Sequence, residues 1–182
     1  KVSSLISLAT PYQGTTTAQG ACMLNGSCPP SVWQIAQGSN FLAALNARAL
    51  PSGPAYTSIT TEFDELITPQ PEASRREGAT NIVLQDICPF RFVEHFSILA
   101  DNVVYELVLD ALNNTGLPAN PDNLPSGICA GPPLMPAAQT PESSISALMG
   151  LTGFLSGFAV ASGAQSVPAE PALRDYAAMD MQ

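Results

Sequence analysis

The sequence has few basic residues. Only 6 lysines and arginines stand against 15 aspartates and glutamates, which gives a formal net charge of −9 over 182 residues. A negative field of this size repels nucleic acid and anionic membranes, and no cluster of basic residues reverses the charge locally. We therefore expect no nucleic-acid partner.

The chain also has a single histidine, His95, and lacks the patterns that hold metals. No C-x-x-C pair and no histidine-rich tract occurs, so neither a zinc site nor any cofactor is indicated. The four cysteines, Cys22, Cys28, Cys88 and Cys129, allow three sets of disulfide pairings. Two N-glycosylation sequons, Asn25-Gly-Ser and Asn113-Asn-Thr, are also present. Together, the cysteines and sequons favour an oxidising, secreted setting.

No apolar run is long and clean enough to indicate a membrane span. The most apolar stretch, residues 141–163, begins with Pro141 and Glu142 and is predicted to be a helix. Serines, a threonine and several glycines interrupt it, whereas a transmembrane helix needs about 20 mostly apolar residues. We expect a buried helix or one that lines an apolar pocket, and an ordinary core helix explains the composition as well.

Strand and helix patterns alternate along the chain, which predicts an α/β fold with a mainly parallel sheet. The first strand begins the chain and is apolar enough to be a central, buried strand. Residues 11–20 are predicted to be a loop. The predicted strands lie within residues 1–9, 55–60 and 81–87, and the predicted helices within 30–50, 97–116 and 141–163.

Two of the predicted helices have recognisable ends and faces. Ser31 is a candidate N-cap for the helix at 30–50, and Gly116 stands where a C-terminal cap of the helix at 97–116 belongs. Apolar residues recur at helical spacing in both. In the first they are Phe41, Leu42 and Leu45, and in the second Leu99, Val103, Leu107, Val108, Ala111 and Leu112.

An acidic residue and the only histidine follow two of the predicted strands. The stretch ITTEFDELITPQP carries Asp64 just after the strand at 55–60, and His95 lies in the loop after the strand at 81–87. Ligands and catalytic groups of parallel sheets gather at the carboxyl ends of the strands. A carboxylate that accepts the Nδ1 hydrogen of His95 would prepare the imidazole to act as a general base. Placement alone leaves a structural or surface role for both residues open.

Five stretches resemble the fungal lipase B family, whose members are secreted serine hydrolases of α/β-hydrolase type. They recur in the family's order with similar spacing over nearly the whole chain. The stretches are KVSSLISLATPYQGT, PSVWQ, DELITPQ, FVEH and TPESSISALMGLTGFL.

The resemblance implies that Asp64 is the acid and His95 the base of a catalytic triad, with Glu65 structural. It implies an apolar pocket for fatty-acyl or hydrophobic alcohol groups, because each buried CH₂ contributes about 0.8 kcal/mol. Phe154 and Phe158 are larger than their family counterparts, which predicts a narrower channel. By position, the pocket residues are Val32, Leu66, Ile67, Leu151, Phe154 and Phe158.

The resemblance also bears on the cysteines and on two departures from the family. Cys88 and Cys129 match a family disulfide, whereas pairing of Cys22 with Cys28 is inferred from their proximity alone. Val167 stands where the first cysteine of the family's last disulfide would be. Pro11 replaces an active-site aspartate, so the geometry on the acyl side is expected to differ.

The nucleophile is the feature that the chain lacks. The order in these hydrolases is Ser, Asp, His, with the serine in a G-x-S-x-G elbow, and no such motif occurs. The GICAG string at 127–131 has the spacing with cysteine, but it lies in a proline-rich segment and fits a disulfide better. We expect residues 1–182 to be the C-terminal portion of one α/β-hydrolase domain. In it, residues 1–116 carry acid and base, and residues 117–182 carry a proline-rich loop and the apolar pocket helix.

Two functions follow from this interpretation. The first is a secreted lipase or esterase that acts on a hydrophobic ester or lipid, with the nucleophilic serine on a preceding segment of the same protein. The second is a non-catalytic fragment that binds lipid or protein. The first requires a serine-bearing segment and the second does not.

Overall fold

The structure is a computed structural model that describes residues 2–139 and 166–178. The predicted apolar helix at 141–163 lies outside these residues, and so do Leu151, Phe154 and Phe158. Among the helices that are described, none is long and apolar enough to cross a membrane.

The chain forms two compact units, each built from two separate segments. Unit 1 contains residues 1–13 and 49–135, and unit 2 contains residues 14–48 and 136–182. That both units belong to a single α/β-hydrolase domain stays a prediction. In chain order the strands are β1 Ser4–Leu8, β2 Ala55–Thr60 and β3 Thr80–Val83, and the helices are α1 Thr16–Asn25, α2 Pro30–Gln34, α3 Asn40–Asn46, α4 Leu84–Ile87, α5 Asn102–Asn113 and α6 Asp175–Ala178.

Unit 1 is organised around a three-stranded parallel sheet in the order β1-β2-β3. Ile6 pairs with Thr57, and Ile59 pairs with Ile82. A parallel sheet with flanking helices is compatible with an α/β fold. Within the described residues, β1 lies at an edge of the sheet and is only partly buried. That it is a central strand stays a prediction. It ends where Ala9 adopts a left-handed backbone, with φ of 45°.

The third strand is shorter than its sequence predicts. β3 ends at Val83, and residues 84–87 make the single helical turn α4, in which the Cys88 N–H donates to the Leu84 carbonyl at 2.8 Å. Gln85 lies in this turn and is buried. Its side-chain amide bonds to loop groups, so a polar side chain is satisfied there without extending the strand.

The helix α5 covers the core of unit 1. It begins at Asn102 because the carboxylate of Asp101 accepts from the backbone of the first turn, and Ser97–Leu99 forms a separate 3-10 turn. Leu99 lies in this turn and is exposed, and Leu112, near the end of α5, is exposed as well, although the sequence predicts both on the buried stripe. The C-cap is Asn114 rather than Gly116. The buried face of α5 consists of Val103, Val104, Leu107 and Ala111, which join a core with Ile59, Ile82 and Leu84.

In unit 2 the helices differ from their predicted positions. The predicted loop at 11–20 contains the start of α1, which Thr15 caps by accepting from the Thr17 N–H. Threonines are poor helix formers, so the local pattern resembles a loop. The predicted helix at 30–50 is two helices, since Gly38 has a φ of 79° and Ser39 caps α3. The first of them starts after Pro29, and Ser31 is not its cap.

The terminal described segment packs within unit 2. Val167 and Cys28 exchange backbone hydrogen bonds of 2.8 and 3.0 Å, and the Trp33 indole N–H donates to the Val167 carbonyl at 3.0 Å. The Glu170 carboxylate accepts the backbone N–H groups of residues 40 and 41, both at 2.8 Å, at the start of α3. These contacts close a small core that contains Ala18, Cys22, Cys28, Val32 and Ala36.

Candidate active site

Asp64 and His95 both lie in unit 1, on loops that follow the sheet. Asp64 comes four residues after the last residue of β2. His95 lies in the loop that connects α4 to α5. The two loops meet because β2 and β3 are parallel neighbours, so that their carboxyl ends lie at the same edge.

The carboxylate of Asp64 is buried and uses both oxygens. Oδ1 accepts the backbone N–H groups of Leu66 at 2.9 Å and Ile67 at 2.7 Å. Oδ2 lies 2.8 Å from Nδ1 of His95. The predicted contact between acid and histidine is therefore present. Three hydrogen bonds to one carboxylate fix its orientation, and this orientation sets the plane of the imidazole.

Because Nδ1 faces the carboxylate, it carries a hydrogen and leaves Nε2 as the nitrogen that can accept a proton. In residues 2–139 and 166–178, Nε2 has no hydrogen-bond partner. The His95 side chain is 24% exposed, whereas that of Asp64 is 0% exposed. The pair thus has a buried anchor and an accessible basic nitrogen.

The surroundings of His95 raise its pKa. The hydrogen bond to Asp64 is the largest cause, and the negative charges of Asp64, Glu65 and Glu94 add to it, while partial burial acts in the opposite direction. Glu65 is also in contact, since its carboxylate accepts the backbone N–H of His95 at 3.3 Å. The imidazolium is therefore stabilised, as a base that gains a proton during a reaction requires.

A buried amide holds the two loops together. The Oε1 atom of Gln85 accepts from the Glu62 N–H at 2.9 Å, and Nε2 donates to Thr61 Oγ1 at 3.1 Å and to the Arg91 carbonyl at 2.9 Å. Thr61 in turn donates to the Val93 carbonyl at 2.8 Å. The sequence-based prediction missed Gln85. The one feature of the sequence that indicates a role for Gln85 is its position directly after the apolar residues Ile82, Val83 and Leu84.

The turn after the histidine is fixed by its neighbour Glu94. The Glu94 carboxylate accepts the backbone N–H groups of Phe96 and Ser97, both at 2.7 Å. The rings of His95 and Phe96 pack edge to face, with centroids 5.2 Å apart. Sequence reasoning did not assign a role to Glu94, because a glutamate that caps its own loop has no distinctive spacing.

The predicted pocket residues that the structure describes lie in different units. Leu66 and Ile67 lie beside Asp64 and bond to it through their backbones, with Ile67 buried and Leu66 half-buried. Val32 is buried in the core of unit 2. That these side chains line a substrate pocket stays a prediction.

Both predicted disulfides are present. Cys88 is bonded to Cys129 and Cys22 to Cys28, and the described residues include no free cysteine. The first bond ties the start of the histidine loop to the proline-rich segment. It also removes Cys129 as a thiol nucleophile.

An apolar surface adjoins the histidine loop. Phe90 is 100% exposed, Phe63 and Phe92 are also exposed, and the rings of Phe63 and Phe92 lie 5.0 Å apart. A cavity of about 460 Å³ opens beside these aromatic residues. Its lining includes Pro89, Phe90, Arg91, Phe92, Asp101 and Pro133, but neither Asp64 nor His95.

No group of histidine, cysteine, aspartate and glutamate side chains within the described ranges could hold a metal ion. Neither the models of known protein families nor the curated proteins include a match to this chain.

Proposed function

We propose that this protein is a serine-type carboxylic ester hydrolase, a lipase or esterase of the α/β-hydrolase type, related to the fungal lipase B family. Asp64 is its triad acid and His95 its general base. The observation that carries the proposal is the 2.8 Å contact between Asp64 Oδ2 and His95 Nδ1 at the carboxyl edge of a parallel sheet. The order of acid before histidine along the chain agrees with such enzymes.

In the proposed reaction, Nε2 of His95 takes the proton of a serine hydroxyl while the serine oxygen attacks the ester carbonyl carbon. The imidazolium then gives this proton to the leaving alcohol, and an acyl-enzyme remains. Water repeats the sequence, with Nε2 again as base, and releases the carboxylic acid. Throughout, Asp64 orients the imidazole ring and stabilises the imidazolium.

The nucleophile and the oxyanion-binding N–H groups are proposed to come from a preceding segment of the same protein. The sequence has no G-x-S-x-G motif. In the described part of the chain, Nε2 of His95 has no serine hydroxyl as a partner. A third group at Nε2 is what the acid–base pair requires for acyl transfer.

The proposed substrates are uncharged, hydrophobic esters, and the proposed setting is extracellular. The exposed Phe63, Phe90 and Phe92 beside the histidine loop support an apolar substrate. The net charge of −9 disfavours anionic lipids. Two disulfides support an oxidising compartment.

Hydrolysis of a short-chain nitrophenyl ester by the complete gene product tests the proposal. We expect His95→Ala to lower kcat by about 10⁶-fold, the loss typical when a triad histidine is removed. Asp86→Asn is the matched control, because Asp86 is exposed and has no side-chain hydrogen bond in the described structure. An active His95→Ala enzyme would refute the assignment.

The alternative, a fragment that binds lipid or protein without catalysis, is favoured by the same exposed aromatic residues. It predicts that neutral lipid vesicles retain the protein, that His95→Ala does not change this binding, and that no ester is hydrolysed. Hydrolysis that depends on His95 excludes it as the sole function.

A further inference from the structure

The sequon that begins at Asn113 lies at the end of α5 and is open to solvent. Asn113 and Thr115, which are the acceptor and the hydroxyl residue of the motif, are both exposed. The side-chain amide of Asn113 makes no hydrogen bond to any described residue. The acceptor nitrogen is therefore not required by the fold.

The middle residue of the sequon is held in place by Asp110. The Asn114 amide donates to the Asp110 carboxylate at 2.8 Å, and the Asn114 backbone N–H donates to the Asp110 carbonyl at 3.0 Å. The same carboxylate accepts the Asn120 N–H and the Asn123 amide, both at 2.8 Å. This carboxylate thus organises the turn without using either functional residue of the sequon.

Apolar side chains flank this sequon. Leu112 and Leu117 are 57% and 60% exposed, respectively. A bulky, hydrophilic glycan on Asn113 would stand between these two leucines in the sequence and cover part of the surface around them. The position therefore combines an available acceptor with surface that a glycan would shield.

The second sequon differs in its local structure. The Nδ2 atom of Asn25 donates to the Ala21 carbonyl at 2.8 Å, and the disulfide between Cys22 and Cys28, which are 6 positions apart in the sequence, encloses the motif. Attachment of a sugar replaces one of the two hydrogens on Nδ2. At Asn25 the remaining hydrogen must then serve the bond to Ala21, whereas Asn113 has no such requirement.

From these contacts we infer that Asn113 carries an N-linked oligosaccharide. In the modification, Nδ2 of Asn113 bonds to the first sugar carbon of a lipid-diphosphate-linked oligosaccharide. The bond from that carbon to the diphosphate breaks, the lipid diphosphate leaves, and Nδ2 loses one proton. The inference is independent of hydrolase activity and requires only passage through a glycosylating secretory pathway.

To test this, the complete gene product is secreted from a yeast, and its glycans are removed with peptide N-glycosidase in ¹⁸O-labelled water. The protein is then analysed by peptide mapping. We expect the Asn113 peptide to carry the isotope label that marks a former acceptor. Asn113→Gln and Thr115→Ala each abolish the label, while the matched variant Thr115→Ser retains it.

Recovery of an unmodified Asn113 peptide from the secreted wild-type protein would overturn the inference, and so would a glycan found on Asn25 alone. A Thr115→Ala protein that keeps the label would overturn it as well. A secreted, folded Thr115→Ser control shows that loss in Thr115→Ala reflects the acceptor motif rather than misfolding.

Discussion

Unit 1 contains two buried carboxylates with almost the same surroundings, Asp64 and Asp101. Each uses Oδ1 to accept two backbone N–H groups just downstream, at 2.9 and 2.7 Å for Asp64 and at 2.8 and 3.2 Å for Asp101. Each uses Oδ2 to bind a basic side chain, at 2.8 Å from His95 Nδ1 and at 2.6 Å from Arg91 Nε. The two anchors differ little, so the basic partner decides what each pair can do.

The partners differ in two respects. The Arg91 side chain is 8% exposed, and its guanidinium donates a further bond to the Pro133 carbonyl. The His95 side chain is 24% exposed, its pKa is raised by the hydrogen bond to Asp64, and one of its ring nitrogens stays accessible. The same carboxylate geometry therefore holds a buried arginine in one pair and, in the other, a histidine that we propose transfers protons.

The largest effect expected from this comparison is on activity. Asp64→Asn should lower kcat by about 10⁴-fold, because the amide disturbs the tautomer and orientation of the imidazole and cannot stabilise the imidazolium as an anion does. Asp101→Asn is the matched variant at the other carboxylate and should leave the activity of the folded fraction within a few-fold. Steady-state kinetics on the complete gene product measures both. Equal losses in the two variants would contradict the difference between the pairs.

The next effect is on stability, and here we expect the larger loss at the Arg91–Asp101 pair rather than at the Asp64–His95 pair. Arg91→Met leaves the Asp101 carboxylate buried without its ionic partner, which typically costs about 3–5 kcal/mol. Urea denaturation of the complete gene product should show this loss. The double variant Arg91→Met/Asp101→Asn should recover part of it. A loss below about 1 kcal/mol, which is typical of exposed ion pairs, would show that the Arg91–Asp101 pair does not stabilise the fold as a buried ion pair.

Disulfide removal compares the two units. Cys88 and Cys129 are 41 residues apart, so chain entropy predicts a loss of about 3–4 kcal/mol for Cys88→Ser/Cys129→Ser. Cys22 and Cys28 are only 6 residues apart, for which the same estimate gives about 2 kcal/mol. Urea denaturation of the two double variants measures the difference. A larger loss from the short link would contradict this order.

The smallest effect expected is electrostatic. The pKa of His95 is raised, first by Asp64 and then by the charges of Glu65 and Glu94. Glu65→Gln should lower that pKa and move the acidic limb of the kcat/KM profile to lower pH, since neutral imidazole is the base. Imidazole NMR of the complete gene product, with the His95 signal assigned by comparison with His95→Ala, follows the titration directly. The control Asp86→Asn should leave it unchanged, and a rise in Glu65→Gln would contradict the assignment.

The same shift has a consequence for stability. The folded pKa of His95 lies above the value of 6.5 for an unperturbed imidazole, so the pair with Asp64 stabilises the fold most when the ring is protonated. This contribution is complete below about pH 6.5 and is lost as the pH rises through the folded pKa. Urea denaturation across this range should show the loss in the wild type and a smaller loss in Asp64→Asn, in which only the charges of Glu65 and Glu94 still raise the pKa of His95.

The site residues differ in how well the sequence predicts them. The contact between Asp64 and His95 could be predicted from the sequence, because polar residues just after apolar strands are recognisable and parallel strands bring such residues together. The roles of Gln85 and Glu94 could not, because their partners are backbone groups whose positions depend on the folded loops. The start of α1 was missed because threonines conceal a helix that Thr15 caps and the core of unit 2 stabilises.

The central claim is that His95, oriented by Asp64, activates a serine. Labelling of the complete gene product with a serine-reactive phosphonate, followed by peptide mapping, tests it most directly. We expect one labelled serine, located outside residues 1–182, whose labelling rate falls by orders of magnitude in His95→Ala and in Asp64→Asn but not in Asp86→Asn. Labelling of a residue within 1–182, or labelling that does not respond to His95→Ala, would contradict the account.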